Sequence, residues 1–524
     1  MLLTRRPTCS RVLSLLLINF VDKGRKRGEK MDRPNVVMIV ADTFRRDHLG
    51  AYGNPYIGTP HIDEFARSSV VFDQHVISSF PTMPARADML TGTFSYTHMG
   101  WEPLPRHLTT LPDALSKAGY HTMGVVDTPF FIRNGFGYDR GFDDFIWVRG
   151  QGDDTRPYER ADARSTWRSE EDRMVARTVT QAERWLERHH DERFFLYVDT
   201  WDPHEPWDAP EYYTRKYREG YDGEQIYPAY GNWKKAGLKK DDVDLGHATY
   251  CGEVSMVDFW IGRLLHKLDA LGLRENTIVL FTSDHGFYFG EHGYFGKAEW
   301  INDQDAAVTQ DSVVPDWLLE SWLLTVGWSP LYKELTNVPL MVRGPGLEPG
   351  RRPALTTAPD LAPTILDLVG VERPGAMQGE SFGDVLVGEK DEHRPFVVSS
   401  WPLYFAAGEF TTAVDSRTRR IASYMPMTVT TPERSLILGG PAYMPEFYDL
   451  GRDPGERSNV WESRTREGAA LGERALSFLE REGTPELYLA PRRLALQRFA
   501  PDWSAPTLLE TKENQMHNAN EEAV

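Results

Sequence analysis

The sequence predicts an α/β protein: a large, mostly parallel sheet sandwiched by helices, followed by a smaller C-terminal α+β domain. Short apolar runs rich in β-branched and aromatic residues, at 70–72, 123–126, 194–198, 278–282 and 339–342, have the length and composition of buried strands. Amphipathic stretches at 111–118, 173–188 and 253–271 lie between them; in the last, Val254, Val257, Ile261, Leu264, Leu265 and Leu268 recur at helical spacing. Strands that alternate with helices build parallel sheets covered on both faces. A further apolar run, 35–42, and the stretch 277–284 that contains the run 278–282 end in the carboxylates Asp42 and Asp284. The C-terminal ends of parallel strands are where such sheets bind ligands.

Taken in order, residues 1–30 read as a non-structural or targeting extension. Arg5 and Arg6 precede an apolar run at 12–20, the order of a signal peptide, but no small-residue cleavage site follows and the basic stretch 23–27 comes next. The run is shorter than the ~20 residues a membrane span needs. Met31 stands just before the first core strand. The expectation is a cytoplasmic protein without a membrane span, the alternative being export if residues 1–30 act as a signal. Residues 31–395 form the predicted catalytic domain, with an insertion at about 298–328 that contains Trp300, Trp317 and Trp322 and reads equally as a lid or a packed helical element. From 396 to 487 shorter extended pieces at 411–414, 420–423 and 435–438 precede a helix over 468–481, which gives the small α+β domain. Residues 488–524 read as a tail.

Composition agrees with a folded globule: 40% of the 524 residues are apolar. A formal net charge of −18 leaves no cation excess for phosphate contacts and excludes nucleic acid as a generic partner. The two cysteines, Cys9 and Cys251, offer no disulfide framework, and Cys251 reads as a small buried hydrophobe on a helix. No Asn-x-Ser/Thr acceptor is present.

The most informative stretch is 78–92, with Thr82, Pro84, Arg86 and the triplet Leu90, Thr91, Gly92. It resembles the nucleophile signature of the sulfatases, in which Cys or Ser is followed by x-Pro-x-Arg and then Leu-Thr-Gly. Four more segments match in order: Asp42 through Gly53; Asp284, His285, Gly286; Gly290, Glu291, His292, Gly293 with Gly296 and Lys297; and Glu446 through Leu450 with Asp453, Pro454, Glu456 and Asn459. The resemblance runs from Asn35 to Val460 and implies the fold of the alkaline phosphatase superfamily and an ester hydrolase acting on a small anionic ester.

It also implies a site. Asp42, Asp284 and His285 would hold one divalent cation, Mn²⁺, Zn²⁺ or Ca²⁺, with Thr82 Oγ completing the set, and the imidazole draws the choice toward manganese, zinc or iron. Asp284 and His285 can reach one ion only if the strand has ended in a turn, a turn that Gly286 supports. Arg86 would hold the nucleophile loop or the equatorial oxygens, Lys297 would add positive charge, and His204 would protonate the leaving oxygen. His98, His48, His292 and Asp47 sit near the motifs and are as readily loop braces.

Three departures bear on the reaction. Sulfatases convert the Cys or Ser to formylglycine, and Thr82 cannot be converted. Thr43 stands where many sulfatases carry a second Asp. The stretch 125–129, with Asp127, Thr128 and Pro129, replaces their Gly-Lys-x-His segment. Single-metal phosphonate monoester hydrolases share the Asp-His pair and its spacing to Lys297. The expected reaction is therefore cleavage of a phosphodiester or phosphonate monoester through a covalent Thr82 intermediate. The alternatives are a sulfuric ester hydrolase working without formylglycine by direct water attack, and a catalytically silent anion-binding homologue.

Overall fold

The computed structural model describes residues 33–132, 135–150, 167–224, 226–298, 329–403, 425–441 and 443–502. The extension 1–30, nearly all of the insertion at 298–328 and the pieces expected at 411–414 and 420–423 lie outside the described residues.

The strands in chain order are β1 (Asn35–Ala41), β2 (Val70–Val76), β3 (His121–Val126), β4 (Asp144–Trp147), β5 (Phe194–Thr200), β6 (Gly231–Asn232), β7 (Thr277–Ser283), β8 (Tyr288–Phe289), β9 (Tyr294–Gly296), β10 (Asn337–Val338), β11 (Leu340–Arg343), β12 (Gly350–Thr357), β13 (Val397–Ser400), β14 (Met427–Thr430), β15 (Arg434–Leu438) and β16 (Glu446–Asp449). The main sheet runs β10-β2-β11-β7-β1-β5-β3-β4, with β12 also on β2. The pairs β1–β5, β1–β7, β3–β5, β3–β4 and β2–β12 are parallel; β10 and β11 are antiparallel to their neighbours.

The central strands are apolar throughout because both faces are covered. In β1, Val37, Ile39 and Ala41 enter one core and Val36, Met38 and Val40 the other; β5 and β7 split in the same way. Helices Pro60–Arg67, Met174–His189 and Lys240–Ala270 contribute to the first core. Helices Thr82–Thr91, Leu111–Lys117 and Leu361–Leu368 contribute to the second.

The small domain is an antiparallel sheet, β13-β14-β15-β16, whose core includes side chains of the helices Thr465–Arg481 and Glu486–Phe499. The second of these helices corrects the tail expected from residue 488: Tyr488, Leu489, Ala495 and Leu496 are buried against the sheet, an apolar stripe interrupted in sequence by Pro491 and the arginines after it. The small domain also reaches the centre of the molecule. Ser400 at the end of β13 donates its N–H to Ser78 O (2.7 Å) and accepts from Phe80 N (2.9 Å), fixing the segment that enters the helix beginning at Thr82. Among the described residues, no helix is long and apolar enough to cross a membrane.

Candidate active site

Three adjacent parallel strands deliver the site. The register pairs Ala41 with Ser283 on one side and with Thr200 on the other, so Asp42 and Asp284 leave the sheet side by side, with Asp199, the last residue but one of β5, opposite Val40. The strand does end at Ser283, and Asp284 and His285 turn to the same place, as the sequence requires. Gly286 is needed there for closeness: a Cβ would sit 1.9 Å from the backbone oxygen of Glu334. Its N–H donates to Leu335 O (2.9 Å), which ties the turn to the strand entry after the insertion.

Asp42, Asp284 and His285 are fully buried, with ligand atoms all within 4.8 Å of one another. His285 Nδ1–H donates to Gly286 O (3.0 Å), which leaves the Nε2 lone pair facing Asp284 Oδ2 at 3.5 Å and Thr82 Oγ1 at 3.5 Å. Asp42 Oδ2 is buried and accepts no hydrogen bond; Arg86 Nη1 stands 3.0 Å away as an ion-pair partner only. Burial, reinforced by the charge of Asp284, pushes the Asp42 carboxyl well above its usual range. Burial also acts on Asp284, but the Arg86 guanidinium and the N–H of Thr43 outweigh it and hold this carboxylate low. Burial takes His285 down to about 3, so its imidazole is neutral. A neutral imidazole, a carboxylate oxygen lacking a hydrogen bond and a second carboxylate around one point fit a divalent cation, which would take the place of the proton on Asp42.

Thr43 replaces the second Asp of the sulfatase pattern and does a different job. Its backbone is left-handed (φ 60°), its hydroxyl donates to Asp42 Oδ1 (2.6 Å) and its N–H to Asp284 Oδ1 (2.9 Å). It aims both carboxylates.

Thr82 is 2% exposed and is the first residue of the helix Thr82–Thr91, whose N-terminal dipole favours an anion at this point. Arg86, one turn on, is wholly buried. Its guanidinium spans Asp199 (Nε–Oδ2 and Nη2–Oδ1, both 2.8 Å), Asp284 (Nη1–Oδ2, 2.6 Å) and Asp42 (3.0 Å), and donates to Thr82 O (3.2 Å). With its donors committed to these groups, Arg86 braces the helix Thr82–Thr91 and the carboxylates, and no donor is left over for equatorial oxygens.

Lys297 follows β9 and His204 follows β5, and the two meet: Lys297 Nζ lies 2.6 Å from His204 Nε2. His204 Nδ1–H donates to Glu205 O (2.6 Å) and its ring stacks on Trp201 with centroids 3.8 Å apart. This fixes the tautomer so that Nε2 accepts from the ammonium. The charge of Lys297 also works against protonation of both Asp42 and His285.

Sequence reasoning misses Asp199, the main partner of Arg86. Its signal is the same as that of Asp42 and Asp284, an apolar run ending in a carboxylate. Thr128 stands out in the sequence only as a departure from the sulfatase pattern; in the structure its hydroxyl bonds Asp199 Oδ1 (2.6 Å) and Arg86 Nη2 (3.3 Å), a brace behind the site. The peripheral candidates are braces too. His292 stacks on Tyr332 (3.6 Å) and pairs with Glu334, and His98 contacts Thr97. Asp47 and His48 hold Arg45 and His247.

Comparisons agree with this geometry. The sulfatase family model matches residues 34–371, and the model of the N-sulphoglucosamine sulphohydrolase C-terminal region matches residues 329–470. An arylsulfatase of Clostridium perfringens is 25% identical over 520 residues, covering 88% of this chain and 97% of its own. The crystal structure of the phosphonate monoester hydrolase of Agrobacterium radiobacter superposes with a TM-score of 0.65 at 22% identity, covering 86% of this chain and 96% of that one. A structure solved in complex with its substrate D-glucosamine-2-N,6-O-disulfate gives 0.63 at 20% identity, covering 88% and 99%. Family match and fold together make this chain a member of the sulfatase family of the alkaline phosphatase superfamily, a hydrolase of ester bonds.

Proposed function

We propose that the chain hydrolyses a small sulfate ester, with water attacking sulfur directly. The carrying observation is that a helix N-terminus at Thr82 and the ammonium of Lys297 stand beside a buried set, Asp42/Asp284/His285, fit to hold a divalent cation, in a chain that the sulfatase model matches over 34–371. Relatives and neighbours named for sulfated substrates favour the same ester class. A divalent cation on Asp42, Asp284 and His285 would supply Lewis-acid polarisation of the ester. Thr82 cannot become formylglycine and so has no second hydroxyl with which to release sulfate by collapse of a geminal diol. Water therefore forms the new S–O bond while the bond to the substrate alcohol breaks. The proton shared by Lys297 Nζ and His204 Nε2 goes to the departing oxygen, which leaves the pair neutral, and the proton released by the attacking water returns to the pair and restores the ammonium of Lys297.

A second reading is carried by Thr82 itself: attack of its hydroxyl on phosphorus in a phosphate diester or phosphonate monoester, with a covalent phosphothreonine that water then hydrolyses. A plain alcohol suffices for that route, and the fold shared with a phosphonate monoester hydrolase is compatible with it. The test is turnover of p-nitrophenyl sulfate, phosphate, phosphate diester and phenylphosphonate by protein reconstituted with Mn²⁺, Zn²⁺ or Ca²⁺. Preference for sulfate supports the first reading; preference for the diester or phosphonate replaces it with the second. No turnover of any ester, with metal bound, overturns both in favour of an anion-binding homologue.

A further inference from the structure

A second cluster of metal-ligating side chains lies on the far side of the Asp42 loop. His48, on the one-turn helix Arg46–His48 that follows β1, meets His247 and Cys251, which are four residues apart on the helix Lys240–Ala270. Spacing of four places two side chains on one helix face. His48 Nε2 and His247 Nε2 are 2.8 Å apart with their rings perpendicular, and Cys251 Sγ lies 3.6 Å from His247 Nε2. All three ligand atoms fall within 4.8 Å of one another.

We infer that these three residues form a second divalent-cation site, for zinc, separate from the catalytic set. Two imidazole nitrogens and one sulfur are the donor set of zinc rather than of the hard oxygen-seeking cations. At tetrahedral angles, Zn–N of about 2.0–2.1 Å and Zn–S of about 2.3 Å require N···S near 3.6 Å and N···N near 3.3 Å. The sulfur already stands at that separation from His247 Nε2, and the imidazole pair reaches its own by opening about half an ångström from 2.8 Å. The tautomer is preset as well: Asp47 Oδ1 accepts from His48 Nδ1–H (2.9 Å), and Arg45 holds the same carboxylate from the other side, the carboxylate–histidine arrangement that orients zinc ligands. His247 is half-buried, whereas His48 and Cys251 are buried.

The ion would act on the active site by position. Tyr250, one residue before Cys251, donates to Thr43 O (2.8 Å) and accepts from Arg45 N (2.9 Å), and Thr43 aims Asp42 and Asp284. A zinc clip from His48 to His247 and Cys251 would pin the Asp42–His48 loop to the same helix turn that already holds it through Tyr250.

Cobalt tests this directly, because the catalytic set contains no sulfur. In a Cys9→Ala background, where Cys251 is the sole thiol, addition of Co²⁺ to the full-length protein is expected to give a near-ultraviolet thiolate-to-cobalt charge-transfer band at one equivalent per chain. Cys251→Ser and His247→Ala should each abolish the band, and excess Zn²⁺ should bleach it. Circular dichroism checks that both variants are folded; if either is not, competition by Zn²⁺ on the Cys9→Ala protein decides the matter. Absence of the band in that protein, or its persistence in Cys251→Ser, overturns the site.

Discussion

Lys297 Nζ and His204 Nε2, 93 residues apart in sequence, share a hydrogen bond of 2.6 Å beside the Asp42/Asp284/His285 set. Neither residue can hand a proton to a leaving oxygen without the other responding, so the two act as one unit. Lys297→Ala and His204→Ala should each lower kcat/KM by about 100- to 10,000-fold, and the double variant should be little worse than the poorer single one. The loss should grow with the pKa of the leaving alcohol, because a good leaving group such as p-nitrophenolate needs little proton assistance. Losses that multiply in the double variant, or that ignore the leaving group, would remove the pair from proton transfer.

Asp199 takes two hydrogen bonds from Arg86 and one each from Thr128 and Tyr197, and it is completely buried. Removing its charge leaves a buried guanidinium short of its main partner, a change that costs about 3–5 kcal/mol when a buried pair is broken. Asp199→Asn is therefore expected to destabilise the protein by that amount in urea unfolding and to weaken metal retention, since Arg86 also braces Asp42 and Asp284. A variant as stable as the parent would show that Arg86 does not need this partner.

What the sequence makes legible follows from burial on both faces. Strands covered on both sides must be apolar along their whole length, which is why β1, β5 and β7 stand out, and why a carboxylate ending such a run, Asp42 or Asp284, is conspicuous. Asp199 is the same signal, one residue beyond the end of the apolar run 194–198. The first half of the helix Lys240–Ala270 is hidden, because its charged opening and the small residues Gly246, Ala248 and Gly252 carry no apolar stripe. That half holds His247, Tyr250 and Cys251. Contacts such as Lys297 with His204, or Ser400 with Ser78, are set by the register of distant strands, and no local pattern encodes them.

Thr82 separates the two reaction readings. If its hydroxyl attacks phosphorus, Thr82→Ala should lose about four orders of magnitude in kcat or more, while Thr82→Ser keeps turnover. If water attacks sulfur directly, Thr82→Ala should retain turnover within about a hundredfold, the scale of losing one oriented polar group near the reacting centre. Mass spectrometry of rapidly quenched enzyme gives an independent readout: a phosphate adduct on the peptide containing Thr82 belongs to the first case alone. Thr82→Cys, co-expressed with a formylglycine-generating enzyme, should raise sulfate turnover if the pocket already accepts that ester.

Asp258 gives a pH dependence of stability that lies outside the active site. On the helix Lys240–Ala270, its carboxylate accepts from the N–H groups of His61 (3.2 Å) and Ile62 (2.7 Å) at the start of the helix Pro60–Arg67. Burial, with Asp63 nearby, raises its pKa from the ordinary 3.8 to about 7. A carboxyl whose folded pKa lies above its unfolded value binds protons more tightly in the native state, so its contribution falls as pH rises from about 4 to about 7 and then levels off. Each tenfold step is worth about 1.4 kcal/mol, which puts the whole effect at about 2–4 kcal/mol for so buried a group. Asp258→Asn removes the titration while keeping a side-chain oxygen for the two N–H donors. Its unfolding free energy relative to the parent should therefore improve steadily from about pH 4 to about pH 7. A difference between the two proteins that stays flat with pH would mean that Asp258 is ionised in the folded state across the whole range.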